Sequence, residues 1–144
     1  MVETEEFPEK HGVIFALFDG EKIFLEKRIE RSDRLFGYTI VPGGGLEKGE
    51  TVEEALIREV VEEFGVRPIK YIKLGDVFNS DIGVLNVGHV YIVTEWKGEI
   101  DNPEGRNEHL TETLAEARNL CAHPVTQRIV DWACDFIETE PLED

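Results

Sequence analysis

The chain is poor in the residues that mark a special environment. It has two cysteines, Cys121 and Cys134, in 144 residues. Their spacing suits neither a metal cage nor a redox pair, so they are expected as buried free thiols in a reducing compartment. Four histidines, His11, His89, His109 and His123, are scattered and form no ligand pair in sequence. No apolar run approaches the ~20 residues of a membrane span. The opening MVETEEFPEK is acidic, unlike the basic start of a signal peptide. A cytoplasmic location and no membrane partner are the expectations. Basic residues are scarce too: 15 Lys and Arg against 31 Asp and Glu, a net charge of −16. Phosphate backbones attract basic surfaces, so this balance excludes nonspecific nucleic-acid binding. A small phosphorylated ligand is not excluded, because local groups could hold it. There is no internal repeat, low-complexity linker or composition break. One domain over residues 1–144 is expected, with loose termini at 1–10 and 138–144.

What is present is a mixture of strand and helix patterns. Residues 12–18 (GVIFALF) read as a buried strand, Asp19-Gly20 as a hairpin turn, and Ile23-Phe24-Leu25 as its partner strand. A polar loop follows, carrying Arg28, Arg31 and Arg34, then a short strand from Tyr38 to Val41. Ile69 to Phe78 reads as a strand and Asn79 to Gly83 as a turn. The strand over 84–96 places His89 and Tyr91 on one face with Val93. These two are candidate base-pocket residues. A loop leads to a strand at His109–Thr111. Thr113 and Glu116 open a short helix, and a last helix begins near Pro124. Its stripe of Val125, Ile129, Trp132, Ala133, Phe136 and Ile137 is core packing.

The densest signal lies between Gly44 and Val66, GGLEKGETVEEALIREVVEEFGV. Thr51 and Glu54 form a capping box, and Gly65 suits a left-handed C-terminal cap. At 100° per residue, Glu62 and Glu63 fall within about 60° of Glu59, while Val60, Phe64, Ile57 and Val61 fall on the other side. The helix has an apolar face and a separate stripe of three carboxylates. Like charges at this spacing cost about 0.2–0.5 kcal/mol per pair. A hard divalent cation, which takes oxygen ligands, reverses the sign of that cost.

The spacing Gly44, five residues, Glu50, seven residues, then Arg58-Glu59-Val60-Val61-Glu62-Glu63-Phe64-Gly65-Val66 resembles the Nudix box at every specified position. The box covers 23 of the 144 residues. Pro42-Gly43-Gly44 ahead of it, and Tyr38 before them, also resemble the family. The resemblance implies an α/β fold, an α/β/α sandwich with a mixed sheet. It implies a MutT-like hydrolase that cleaves a pyrophosphate bond in a nucleoside diphosphate linked to another group. A nucleoside triphosphate, giving a monophosphate and pyrophosphate, is the leading substrate. ADP-ribose, nucleotide sugars and dinucleoside polyphosphates are the alternatives, as is a non-catalytic nucleotide sensor. Asp81 stands where ADP-ribose hydrolases of the family often have a proline, which tilts the reading away from them.

The same resemblance implies site residues. Mg²⁺, or Mn²⁺, would be held by Glu59, Glu62, Glu63 and a carbonyl of the glycine turn, Gly43 or Gly44. Arg58 would orient Glu59. The general base would be Glu59 or a later loop glutamate, for which Glu108 is the candidate and Glu104 the alternative. Glu50 would stand at or behind the metal shell. Arg28 would contact substrate phosphates, and Tyr38, Gly43 and Gly44 would border the substrate. A homodimer is an admissible state, since dimers are common among small enzymes.

Overall fold

The computed structural model describes residues 9–81 and 84–139. The order is β1 (Glu9–Leu17), β2 (Lys22–Lys27), β3 (Thr39–Ile40), β4 (Gly43–Gly45), α1 (Val52–Phe64), β5 (Arg67–Asp81), β6 (Val84–Lys97), β7 (Glu108–Thr113), α2 (Leu114–Leu120) and α3 (Pro124–Thr139). One sheet runs β4-β1-β6-β5 and a smaller one β3-β2-β7. The larger sheet is mixed. β1 and β6 are parallel, while β4 on β1 and β5 on β6 are antiparallel.

The two faces of β1 divide the core. Val13, Phe15 and Leu17 pack with Leu56, Val60 and Phe64 of α1. Ala16 and Phe18 pack on the opposite side with Ile129, Val130 and Ala133 of α3 and Ala117 of α2. Helices therefore cover both faces, and the α/β/α sandwich expected from the resemblance is the architecture. Burying each large apolar side chain contributes about 1.5–3 kcal/mol. Phe64, fully buried at the last turn of α1, is met edge-on by Phe15 and Phe24 with ring centroids 6.2 and 6.1 Å away. That contact pins the C-terminal end of α1 against β1 and β2.

The ends of α1 form as the sequence predicts. Thr51 accepts from the Glu54 N–H at 3.1 Å and its own N–H donates to Glu54 at 2.9 Å. Gly65 closes the helix at φ 71°, a left-handed position that glycine tolerates without a Cβ penalty.

Several expectations change. Asp19-Gly20 does turn the chain, with the Asp19 carboxylate accepting from the Glu21 and Lys22 N–H groups. The strands it joins, however, enter different sheets and share only a bridge between Phe18 and Ile23. β2 pairs instead with β3 and β7. Glu9 and Lys10, expected to be loose, pair with Leu85 and Asn86 in β6. β5 runs through Asn79 and Ser80 to Asp81, where a turn is expected from the sequence; Ile82 and Gly83 of that expected turn lie outside the described residues, as do residues 1–8 and 140–144 of the expected loose termini, while Glu138 and Thr139 belong to α3. Both cysteines are buried and free, as expected.

Candidate active site

The site begins with a glycine turn pressed against a glutamate. β4 pairs Gly43 with Ile14, Gly44 with Val13 and Gly45 with Gly12. A Cβ on Gly44 would lie 2.2 Å from the Glu59 carboxylate, and one on Gly43 would lie 2.3 Å from the Val13 carbonyl. No side chain fits at either position.

Arg58 ties this turn to α1. Its Nε donates to Glu50 at 2.7 Å and its second terminal nitrogen to the other Glu50 oxygen at 2.9 Å. That same nitrogen donates to the Gly45 carbonyl at 2.9 Å. Its remaining nitrogen reaches Glu59 at 3.0 Å and Glu62 at 3.3 Å. The planar guanidinium fork suits this many-armed role, which a lysine could not fill. The hydrogen bond from Arg58, with the Glu47 N–H, depresses the Glu50 carboxyl to about 2. Glu50 therefore holds Arg58; it does not line the acidic pocket. Burial raises Glu59 above the ordinary carboxylate range, against the pull of Arg58 and with help from Glu62 and Glu104.

One residue past Glu62 the surroundings change. Glu63 accepts from the His109 ring at 3.0 Å, and that ring rests on Phe64 with centroids 4.8 Å apart. Across the β2–β7 ladder, His109 is paired with Glu26, whose side chain is almost wholly buried, at 2% exposure for the residue. Arg28 donates to Glu26 at 2.9 Å and also binds Asp33. Burial and the facing Glu63 push the Glu26 carboxyl up to about 8, against Arg28. Burial alone would raise Glu63 also, but hydrogen bonds from His109 and Glu26 outweigh it and leave Glu63 below its ordinary value. Glu26 is therefore the more readily protonated member of the pair.

These groups surround a pocket of about 220 Å³ lined by Glu26, Arg28, Gly43, Gly44, Glu59, Glu62 and Glu63, together with Glu30, Asp33, Arg106 and Asn107. A second cleft of about 860 Å³ opens beside it and shares Arg28, Gly43 and Gly44. Its walls include Ile14, Val41, Val77 and Val87, with His123, Val125, Thr126 and Ile129 from the start of α3.

The structure brings Glu59, Glu62, Glu63, Arg28, Gly43 and Gly44 to this pocket, with Arg58 behind. It does not bring Glu108 there. Glu108 is exposed and lies across from Lys27, because strand alternation turns it away as it turns His109 inward. Glu104 comes closer, since its charge reaches Glu59. Tyr38, 39% exposed, does not line the cleft but sits edge-on to His123 at 5.3 Å. His89 and Tyr91 are not in the cleft wall. His89 contacts His11 at 2.9 Å and Lys73 at 2.8 Å, and Tyr91 packs edge-on to Tyr71. Sequence reasoning missed Glu26 and His109. The available signal was that Glu26 shares strand parity with the core residue Phe24, an acid where an apolar side chain is expected.

The residues present fit a hard divalent cation. Six carboxylates, those of Glu26, Glu30, Asp33, Glu59, Glu62 and Glu63, line one small pocket, and the glycine backbone packs against Glu59; such oxygen donors suit Mg²⁺ or Mn²⁺. Among the described residues, the tight donor group is Glu26, Glu63 and His109, each with a ligand atom within 4.8 Å of the others. The helical stripe alone does not form so close a set.

Comparison with known proteins defines the class. The model of the NUDIX domain matches residues 8–133, and the chain belongs to that family. It is similar to the 8-oxo-dGTP diphosphatase of Proteus vulgaris, 34% identical over 84 residues, covering 58% of this chain and 73% of that protein. It is also similar to the RNA pyrophosphohydrolase of Bartonella bacilliformis, 28% identical over 106 residues, 69% of this chain and 62% of that one. The solved MutT NUDIX hydrolase from Burkholderia pseudomallei shares the fold at a TM-score of 0.73 and 24% identity, covering 86% of this chain and 97% of that one. The chain is a MutT-like Nudix hydrolase, acting on pyrophosphate bonds.

Proposed function

We propose that the protein hydrolyses a nucleoside triphosphate to a monophosphate and pyrophosphate in a Mg²⁺-dependent reaction. One observation carries this reading: an acidic pocket abuts a larger, mostly apolar cleft, and the two share Arg28 and the glycine turn. The cleft has the volume of a small-molecule site. A nucleoside fits the larger space while its phosphates pass Arg28 toward the carboxylates. A net charge of −16 favours a small nucleotide over a long nucleic acid. Among the described residues no helix is long and apolar enough to cross a membrane.

Glu59, Glu62, Glu63 and the Gly44 backbone would hold the ion, with Glu26 and His109 behind Glu63. The chemistry that Mg²⁺ supplies when bound is neutralisation of charge on the phosphoryl oxygens and acidification of water. The protein's own part is to orient and to move a proton. Arg58 fixes Glu59 in one orientation through a charge-assisted hydrogen bond. Glu59 accepts the proton of the attacking water; it lines the pocket, and burial has raised its basicity. Glu108, exposed outside the pocket, is not needed for that step. Arg28 receives the phosphate charge. Its partners Glu26 and Asp33 hold it where it lines both the pocket and the cleft.

The test is a hydrolysis screen with and without Mg²⁺ in which the nucleotide products are separated and quantified by chromatography. The panel holds nucleoside triphosphates, oxidised nucleotides, ADP-ribose, nucleotide sugars, dinucleoside polyphosphates and 5′-triphosphorylated RNA. The expected result is the highest kcat/KM on a nucleoside triphosphate, with monophosphate and pyrophosphate as products. Higher efficiency on any other class, or turnover indifferent to chelation, overturns it.

A further inference from the structure

Two arginines line the acidic pocket, and the fold holds them differently. Arg28 is bound by both Glu26 and Asp33, with its side chain 24% exposed. Arg106 lies on the loop of residues 98–107 between β6 and β7. That loop is fixed through its backbone. The Asp101 N–H donates to the Phe64 carbonyl at 2.8 Å, and Pro103 packs over Gly65, where a Cβ would lie 3.4 Å from its ring. The Asn102 side chain accepts from the Gly105 N–H at 3.1 Å and donates to the Asn107 carbonyl at 2.8 Å, which closes a turn around Arg106. Gly105 takes φ 65°, the left-handed position that this turn requires. The Asn107 side chain accepts from the Ile29 N–H at 3.4 Å and donates to Glu26 at 3.5 Å. The Arg106 side chain, by contrast, is 67% exposed and donates to Glu104 of its own loop at 3.2 Å. An exposed pair of this kind contributes little, and a phosphate that takes both arms of the guanidinium fork outcompetes it. The charges of Glu63 and Glu30 reach Arg106, and that of Glu104 reaches Glu59. The pair therefore belongs to the electrostatics of the acidic pocket.

We propose that Arg106 is a substrate-binding residue that exchanges Glu104 for the two distal phosphates of the substrate, those released as pyrophosphate. This rests on the reading above that a nucleoside occupies the large cleft and its phosphates run into the acidic pocket. Arg28 lines both spaces, whereas Arg106 lines the acidic pocket and not the cleft. Arg28 therefore meets the phosphate nearest the nucleoside, and Arg106 those beyond it. A polyphosphate entering among six carboxylates needs positive charge along its whole length, and Arg28 already answers two of those acids. A fixed loop backbone with a loosely held guanidinium suits a group that closes on substrate and lets product go.

The experiment measures, by calorimetry in Mg²⁺, the affinity of the full chain for inorganic pyrophosphate and for the four deoxynucleoside 5′-monophosphates. It is run on the wild type, Arg106→Gln and Arg106→Lys. Arg106 is exposed, so melting temperature should stay unmoved and serves as the control for folding. Arg106→Gln is expected to weaken pyrophosphate by about tenfold, as for a lost hydrogen bond to a charged group, and to leave the tightest-binding monophosphate within about twofold. Arg106→Lys keeps the charge but not the fork and should recover part of the loss. Unchanged pyrophosphate affinity in Arg106→Gln overturns the inference, as does a wild type that binds no pyrophosphate. An equal loss for pyrophosphate and monophosphate overturns it too, since removal of any nearby positive charge would give that. If pyrophosphate binds and no monophosphate does, the placing of a nucleoside in the cleft fails on its own. The pyrophosphate series then still decides Arg106: a loss in Arg106→Gln that lysine partly restores upholds the role, and no loss removes it.

Discussion

Glu62 and Glu63 are neighbours on α1, yet they meet opposite surroundings. Glu62, with Glu59 one turn before it, is gripped by Arg58, whose charge no accessible pH removes. Glu63 points toward the smaller sheet, where it meets a histidine and a buried acid. At the first end the balance of charge is permanent and geometry is what the protein supplies. At the second, the balance depends on the titration of Glu26, which burial and Glu63 push up to about 8. A single helical stripe therefore contains a rigid end and a titrating end. Adjacent residues on a helix are 100° apart, enough to leave Glu62 with Arg58 and to turn Glu63 against β2 and β7.

The largest expected effect lies at the rigid end. Glu59→Gln keeps shape and hydrogen bonds but cannot take up a proton. Its kcat should fall by about 10²–10⁴-fold, with nucleotide binding by calorimetry retained; a loss under tenfold would place the base elsewhere. Arg58→Lys comes next. It keeps the charge but cannot span Glu50, Glu59, Glu62 and the Gly45 carbonyl together. Mn²⁺ affinity by paramagnetic titration, or the rate, should drop by about 10–100-fold. If lysine substitutes without loss, charge alone matters there and the contrast between the two ends dissolves.

That contrast was only half legible in the sequence. The rigid end belongs to a motif of fixed spacing on a helix with readable caps, Thr51-Glu54 at one end and Gly65 at the other, so local rules place every side chain. The titrating end depends on strand pairing between β2 and β7, separated by eighty-two residues from Glu26 to Glu108 in numbering and joined only in the fold. β7 reads EHLTET, with Leu110 its sole large apolar residue. Such a strand carries a weak signal for which face is inward, and a one-residue slip exchanges Glu108 for His109. The Asp19-Gly20 turn misled for a related reason: turn chemistry fixes where the chain reverses, not which ladder each arm joins.

The titrating end gives a pH prediction. Glu26 carries a folded value of about 8 against an ordinary 4.5. Between those values the native state holds a proton that the unfolded chain has lost. Stability from this group is therefore complete below about 4.5, falls as pH rises, and is gone above about 8. In chelator, the melting temperature of the wild type should decline across this window. Glu26→Gln, which carries no titrating proton, should show a flatter profile and surpass the wild type at pH 9. Parallel profiles for the two proteins would mean that Glu26 is ionised at neutral pH and that both ends are balanced by fixed charge.

The smallest effect is expected at Glu108. It is exposed and faces away from the pocket, in register with Lys27. Glu108→Gln should leave kcat within about twofold and melting temperature nearly unmoved, as for other surface substitutions, whereas His109→Ala, one residue on, should loosen Glu63 and weaken Mn²⁺ binding. A severe loss in Glu108→Gln with little change in His109→Ala would mean that β7 presents its other face to the substrate. The titrating end would then be a glutamate on a mobile strand rather than a histidine held against Phe64.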